Sequence, residues 1–211
     1  MISMESRPSI ITRVWLIRHG EPRSEIRGRC YGRLDAGLSE AGRTQLQRVA
    51  LMLKAEPISV IYASPRIRTR ESAAAIAGYH QCDVRADERF REIDFGDFEG
   101  REYDEIARLY PATYQQWMEQ PTEVQFPNGE NFREMQQRVL SAMSQLLEQR
   151  GGETIAIVTH GGVNRIILAE ALGMPEANIF RIAQAYGAKN LIRYVGDYPS
   201  VELVNGPPHS G

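Results

Sequence analysis

Short apolar runs alternate along the chain with stretches whose apolar residues recur at helical spacing. That alternation predicts an α/β fold. Val14-Trp-Leu-Ile17 reads as the first buried strand, and Ile58 to Ala63 as the second. Thr154 to Thr159 is apolar through its centre, as a strand covered on both faces would be. Between them, Leu46, Val49, Ala50 and Leu53 define a helix behind Ser39, a suitable N-cap. Ser64-Pro65 predicts a second helix with serine at its cap and proline in its first turn. Cys82 to Arg85 reads as a short strand, and Tyr103 to Leu109 and Ala112 to Met118 as short helices. Phe132, Met135, Val139, Ala142, Met143 and Leu146 form one face of a helix over 130–149, and another helix runs over 163–172. Asn190 to Val195 and Val201 to Val204 complete the sheet, the last at an edge. The pattern predicts a three-layer α/β/α sandwich with a mostly parallel central sheet. It forms a single domain over residues 1–205, with a small helical cap insertion over about 97–135 and a frayed tail from Gly206 to Gly211.

Length and charge narrow the function classes. The 211 residues suffice for one well-buried domain. A formal net charge of −2 argues against nucleic-acid binding by bulk electrostatics. The stretch Met-Ile-Ser-Met-Glu-Ser-Arg-Pro lacks the apolar run of a secretory signal, and nothing approaches the roughly 20 apolar residues that span a bilayer. A cytoplasmic protein without nucleic-acid or membrane partners is the expectation. Cys30 and Cys82 show no metal-ligand spacing and read as ordinary reduced side chains.

The candidate chemistry sits where strands end. The first strand runs into Arg18-His19-Gly20, the second into Ser64-Pro65-Arg66-Ile67-Arg68, and the strand near 155 into His160-Gly161-Gly162. Ligands of open α/β sheets bind outside the carboxyl ends of the strands, so these endings can converge on one crevice. Cations are disfavoured at a helix N-terminus, yet Arg66, Arg68 and Arg70 crowd one there. Side chains lean toward the start of a helix, so Arg68 can reach back to the strand ends, where a guanidinium fork suits phosphate. The other two arginines are read as a solvated face.

These residues carry a resemblance. Leu16-Ile-Arg-His-Gly-Glu21 resembles the Arg-His-Gly signature of the histidine phosphatase, or phosphoglycerate mutase-like, superfamily. The likeness continues in family order through Tyr31-Gly-Arg-Leu-Asp35, Tyr62-Ala-Ser-Pro65 with Arg68, Glu92-Ile-Asp-Phe-Gly-Asp97, Glu99-Gly100 and Val158-Thr-His-Gly-Gly162. It implies a transiently phosphorylated nucleophile at His19. Arg18, Arg68 and a protonated His160, with Gly161, would bind the phosphate. Glu92 would protonate the leaving oxygen and then activate water. Glu21, Tyr31 and Gly32 are the residues assigned to the substrate. No cofactor and no metal are implied; the partner is a small phosphorylated substrate, and a homodimer is compatible with the sequence. Since the nucleophile must meet solvent-borne substrate, His19 is expected to be partly exposed, its tautomer fixed by a carbonyl near Gly20.

Two family positions differ here: Pro22 and Glu25 stand where a threonine and a phosphate-supporting asparagine are usual, so Glu25 is expected to point away. Pro22, Cys30-Tyr31-Gly32, the 94–100 run and Phe126-Pro-Asn-Gly-Glu130 are most similar to the alpha-ribazole phosphatases of cobalamin synthesis. Tyr103, Tyr110, Tyr114, Trp117, Phe126 and Phe132 would either stack on an aromatic base or form the cap's own core. A broad-specificity sugar-phosphate or phosphoglycerate phosphatase or mutase, and a low-turnover phosphate- or phosphoprotein-binding module, are the alternatives.

Overall fold

The computed structural model of the protein describes residues 10–208. Met1 to Ser9, where a signal segment was sought, and His209 to Gly211 of the tail lie outside the described residues.

A six-stranded sheet holds the molecule together, in the order β3-β2-β4-β1-β5-β6. Its strands are β1 (Ile11–Arg18), β2 (Ile58–Ala63), β3 (Asp83–Ala86), β4 (Thr154–Thr159), β5 (Lys189–Val195) and β6 (Tyr198–Gly206). The first four run parallel, and β5 and β6 add antiparallel strands at one edge. Helices α1 (Glu40–Leu53) and α2 (Ile67–Ala77) cover one face through Leu46, Val49, Ala73 and Ile76. Helices α5 (Phe132–Gln149) and α6 (Gly161–Ala171) cover the other through Met135, Val139, Ile166 and Ile167. The architecture is therefore α/β/α, with a mostly parallel sheet. Between β3 and α5 the chain carries α3 (Tyr103–Leu109) and α4 (Pro111–Glu119). No helix among the described residues is long and apolar enough to cross a membrane.

Local chemistry sets the helix starts. Ser39 caps α1 by accepting from the Gly42 N–H at 3.0 Å. Asn131 and Glu134 form a reciprocal capping box, which starts α5 at Phe132 rather than at Glu130. α2 departs further from the sequence reading. Ser64 does not cap it, because the Ser64 N–H extends the sheet to the Val158 carbonyl. Helical geometry begins at Ile67, whose N–H is satisfied from outside by Asp35 Oδ1 at 2.7 Å. β6 is also longer than expected and takes in Gly206, the first residue assigned to the tail.

Register brings the three strand ends level. β1 pairs with β4 up to Arg18 opposite Thr159, and β2 pairs with β4 up to Ala63 opposite Val158. The His19 N–H donates to the Thr159 carbonyl at 2.9 Å. His19, Ser64 and His160 therefore leave the sheet side by side.

Candidate active site

His19 and His160 meet edge to face, with ring centroids 5.3 Å apart. His19 Nδ1 donates to the Gly20 carbonyl at 2.7 Å, which leaves the Nε2 lone pair free. The expected tautomer partner is thus present. The expected exposure is not, since His19 is only 2% exposed. Burial, together with Arg68 and Arg18, holds its pKa well below the usual imidazole value, against a smaller opposing pull from the Gly20 carbonyl. His19 is a neutral imidazole at neutral pH.

Arg68 lies wholly buried behind the two rings. Its terminal nitrogens donate to the carbonyls of Leu34 at 2.8 Å and Gly32 at 2.9 Å. One of them also faces His160 Nδ1 at 3.4 Å. An arginine can only donate, so that nitrogen of His160 accepts, and Nε2 carries the proton toward Ser64 Oγ at 2.8 Å. Burial lowers the His160 pKa well below its usual value, and Arg68, His19 and Arg18 lower it further. The resemblance implied an imidazolium here; the surroundings support a neutral ring that donates through Nε2. The helix start contributes backbone donors as well, since His160 is the N-cap of α6. Arg66 is half-buried and Arg70 exposed, so only Arg68 of the three is committed to the interior.

Arg18 donates to the Gln184 carbonyl and lies over the Tyr186 ring, with its guanidinium carbon 4.1 Å from the centroid. The Nε atoms of Arg18, Arg66 and Arg68 are buried and have no hydrogen-bond partner. Gly161 opens α6 under Arg18 and Arg165. A Cβ there would stand 3.1 Å from an Arg165 terminal nitrogen and 3.5 Å from Arg18 Nε, so the glycine makes room for both.

Glu92 comes from the loop after β3 and is half-buried. Its carboxylate accepts from the Gly162 N–H and the Ile93 N–H, both at 3.1 Å. That fixes it against the start of α6, two residues past the His160 cap. Beyond it opens an apolar pocket of about 180 Å³, walled by Phe95, Trp117, Phe126, Met135 and Phe180. Phe126 and Phe132 are buried in the core, and Tyr110, Tyr114 and Trp117 pack against it. These aromatics thus mainly extend the core on this face of the sheet rather than a separate core of their own, with Trp117, Phe126 and Phe132 also reaching the pocket wall.

Tyr31 and Gly32 both reach the site. The Tyr31 ring lies 5.2 Å from the Arg68 guanidinium, and its hydroxyl pairs with that of Tyr186 at 2.7 Å. Burial and that pairing push the Tyr31 phenol up. Gly32 acts through its backbone. Its carbonyl holds Arg68, and a Cβ would stand 1.9 Å from the Ile93 carbonyl oxygen. Glu21, expected to touch substrate, joins none of the cluster's hydrogen bonds. Its carboxylate pairs with Arg27 at 2.6 Å and with the Ser39 hydroxyl at 3.1 Å, bracing the start of α1 instead. Glu25 is exposed in a 3-10 turn over 24–26, consistent with its pointing away from the phosphate pocket.

The sequence reading missed Tyr186, Gln184 and the structural work of Glu99. The Glu99 carboxylate accepts the N–H groups of Gly32, Arg33, Leu34 and Phe95 at 2.8–3.2 Å, and so shapes the loop that holds Arg68. No periodicity marks such a residue; four backbone donors answering one carboxylate exist only in the folded loop.

A deep cluster of imidazoles and guanidinium groups at the carboxyl ends of parallel strands has the chemistry of an anion site. The comparisons with known proteins agree. The sequence model of the histidine phosphatase superfamily (branch 1) matches residues 14–207, and the chain belongs to that superfamily. It is 33% identical to phosphoglycerate mutase-like protein 4 of Arabidopsis thaliana over 199 residues, 89% of this chain and 86% of that protein. It is 33% identical to phosphoserine phosphatase 1 of Hydrogenobacter thermophilus over 159 residues, 75% of each chain. Among solved structures, the alpha-ribazole phosphatase from Shigella flexneri superposes with a TM-score of 0.86 at 26% identity. That match covers 94% of this chain and 98% of the other.

Proposed function

We propose that the protein is a metal-independent phosphomonoesterase that works through a phosphohistidine at His19. The observation that carries this reading is a pairing within the buried cluster. A neutral His19, its Nδ1 proton held by the Gly20 carbonyl, stands beside buried guanidinium groups whose Nε–H groups lack partners. A phosphate has enough acceptor oxygens to answer those donors.

In the first half-reaction the Nε2 lone pair attacks phosphorus in line. The P–N bond forms, the ester P–O bond breaks, and Glu92 gives its proton to the departing alkoxide. In the second, water attacks phosphorus, Glu92 takes the water's proton, and the P–N electrons return to His19. Arg18, Arg68 and the Nε2–H of His160, which exchanges Ser64 Oγ for a phosphate oxygen, hold the non-bridging oxygens while charge redistributes. Each such donor is worth about 3 kcal/mol in comparable anion sites.

For the leaving group we infer an aromatic or otherwise apolar portion, with alpha-ribazole 5′-phosphate as the substrate. The apolar pocket beside Glu92 supports this: a cavity of about 150 Å³ already accepts benzene. The Shigella flexneri likeness supports it too. A small polar ester such as phosphoserine is the second reading, favoured by the Hydrogenobacter relative. Phosphate release from alpha-ribazole 5′-phosphate, O-phosphoserine, 3-phosphoglycerate and p-nitrophenyl phosphate, all in chelator, tests both. Preference for alpha-ribazole 5′-phosphate supports the first reading, and preference for phosphoserine replaces it with the second. Turnover that requires added metal contradicts the mechanism. No release from any ester leaves a phosphate-binding module.

A further inference from the structure

Arg18 is aimed by a segment that has no regular secondary structure. The chain between Ile182 and Ala188 gives it two restraints, the Gln184 carbonyl and the face of the Tyr186 ring. Residues 183–187 lie outside the regular strands and helices. The Gly187 N–H holds the segment to the His19 carbonyl at 3.1 Å, the Tyr186 hydroxyl pairs with Tyr31, and a cluster of buried amides fixes the part around Gln184. Gln184 is 5% exposed, and Asn164 and Asn190 are fully buried. Gln184 Oε1 accepts from the side-chain amides of Asn164 and Asn190, both at 3.0 Å. Gln184 Nε2 donates to Asn190 Oδ1 at 2.8 Å. Asn190 Oδ1 also accepts the Asn205 N–H at 2.7 Å, and Asn205 Oδ1 accepts the Ala185 N–H at 2.7 Å.

The geometry of the donors makes the arrangement one-way. Gln184 receives two protons at its oxygen and gives two from its nitrogen, to Asn190 Oδ1 and to the Ala183 carbonyl at 2.9 Å, so only one orientation of its amide fits. Asn164 belongs to the helix that His160 caps, and Asn190 donates to the Leu16 carbonyl on the strand that carries Arg18. The cluster therefore ties the 183–187 segment to the same two elements that present His160 and Arg18. Asn164 Oδ1 has no partner, but the Gln184 and Asn190 amides are fully engaged, and a shift of Gln184 would break all four of its side-chain hydrogen bonds.

We propose that Gln184 is a positioning residue for Arg18: its side-chain amide, clamped by Asn164 and Asn190, fixes the carbonyl and the Tyr186 ring that aim the Arg18 guanidinium at the phosphate. The role rests on the phosphate pocket proposed above. Gln184 itself touches no reacting atom.

The test is a double-mutant cycle between Gln184→Met, which keeps length and apolar volume without the hydrogen bonds, and Arg18→Ala. Calorimetric affinity for vanadate is read alongside kcat and KM on p-nitrophenyl phosphate. Gln184→Met should lower kcat/KM and vanadate affinity together by about ten- to a hundredfold, as expected for misplacement by an ångström or so. In the Arg18→Ala background the same change should cost less than about twofold, since the two residues act as one unit. Equal losses in both backgrounds, or full activity in Gln184→Met, overturn the proposal. Should Gln184→Met fail to fold, Asn205→Gly decides by the same cycle. Asn205 has φ 52°, which glycine accepts freely, and the change removes only its grip on the Ala185 N–H. Coupling to Arg18 supports the proposal; additivity, or no effect, overturns it. A protein that binds vanadate without hydrolysing any ester fails the function above yet still gives the coupling its answer.

Discussion

At one end of the candidate site, His19 and His160 stand just beyond the ends of parallel strands and Arg68 in the first turn of α2, all three almost wholly buried. At the other, Glu92 and the walls formed by Phe95, Trp117 and Phe126 come from loops, short helices and the cap. The first end is rich in charge and in unpartnered donors; the second is apolar apart from Glu92 and Arg165. In the proposed reaction the difference separates two tasks. Phosphate chemistry needs donors fixed to within a fraction of an ångström, which sheet register supplies. A leaving group needs a surface that can change without disturbing that register, which a cap supplies.

The largest expected effect is at the phosphate end. His19→Ala should lower turnover by more than about a thousandfold on every ester, as other nucleophile deletions do. Retained activity above that level contradicts covalent catalysis. Arg68→Ala should cost about a hundred- to a thousandfold and weaken vanadate inhibition, again whatever the leaving group. Losses that vary with the alcohol would move Arg68 out of the phosphate's share of the work. Crossing to the other end, Glu92→Gln should cost about a hundredfold on alkyl esters and much less on nitrophenyl esters, which need no acid. Equal losses would reassign the acid. Trp117→Leu should raise KM by up to about tenfold for an aromatic leaving group and leave phosphoserine unchanged, since an aromatic contact contributes about 0.5–1.5 kcal/mol. A change on phosphoserine as well would show that the two ends are not separable.

The smallest effect concerns stability. His19 and His160 have folded pKa values depressed below the usual 6.5. Their contribution is complete above about pH 6.5 and is lost as pH falls from there toward the folded values, because only the unfolded chain takes up the protons. Urea unfolding at pH 7.5 and pH 5 should therefore differ, and His160→Gln should narrow the gap. An unchanged gap would mean that burial of these rings carries no linkage.

The same division explains what the chain discloses before folding. Leu16 to His19 and Ile157 to His160 are contiguous, so the strand, its end and the reacting residue can be read together. Arg68 could be singled out because three arginines break a rule at one helix start. Glu21 adjoins the signature, and its carboxylate answers Arg27 and Ser39, a bracing role that the sequence did not disclose. Gln184 and Tyr186 had no signal, and Glu99 stood in the resemblance without a role: Gln184 works with Asn164 and Arg18, and Glu99 with residues 32–34, all distant in sequence. The charge state of His160 was illegible for the same reason, since it depends on Arg68 facing one nitrogen and Ser64 the other.

The central claim is a covalent phosphohistidine at His19. Rapid mixing with a phosphate ester, an alkaline quench that preserves the acid-labile P–N bond, and peptide mass spectrometry would test it most directly. The account predicts a phosphoryl group on the peptide carrying His19, formed before phosphate is released and trapped more strongly in Glu92→Gln when a nitrophenyl ester is used. A phosphoryl group on another residue, or brisk phosphate release with none at all, would contradict it.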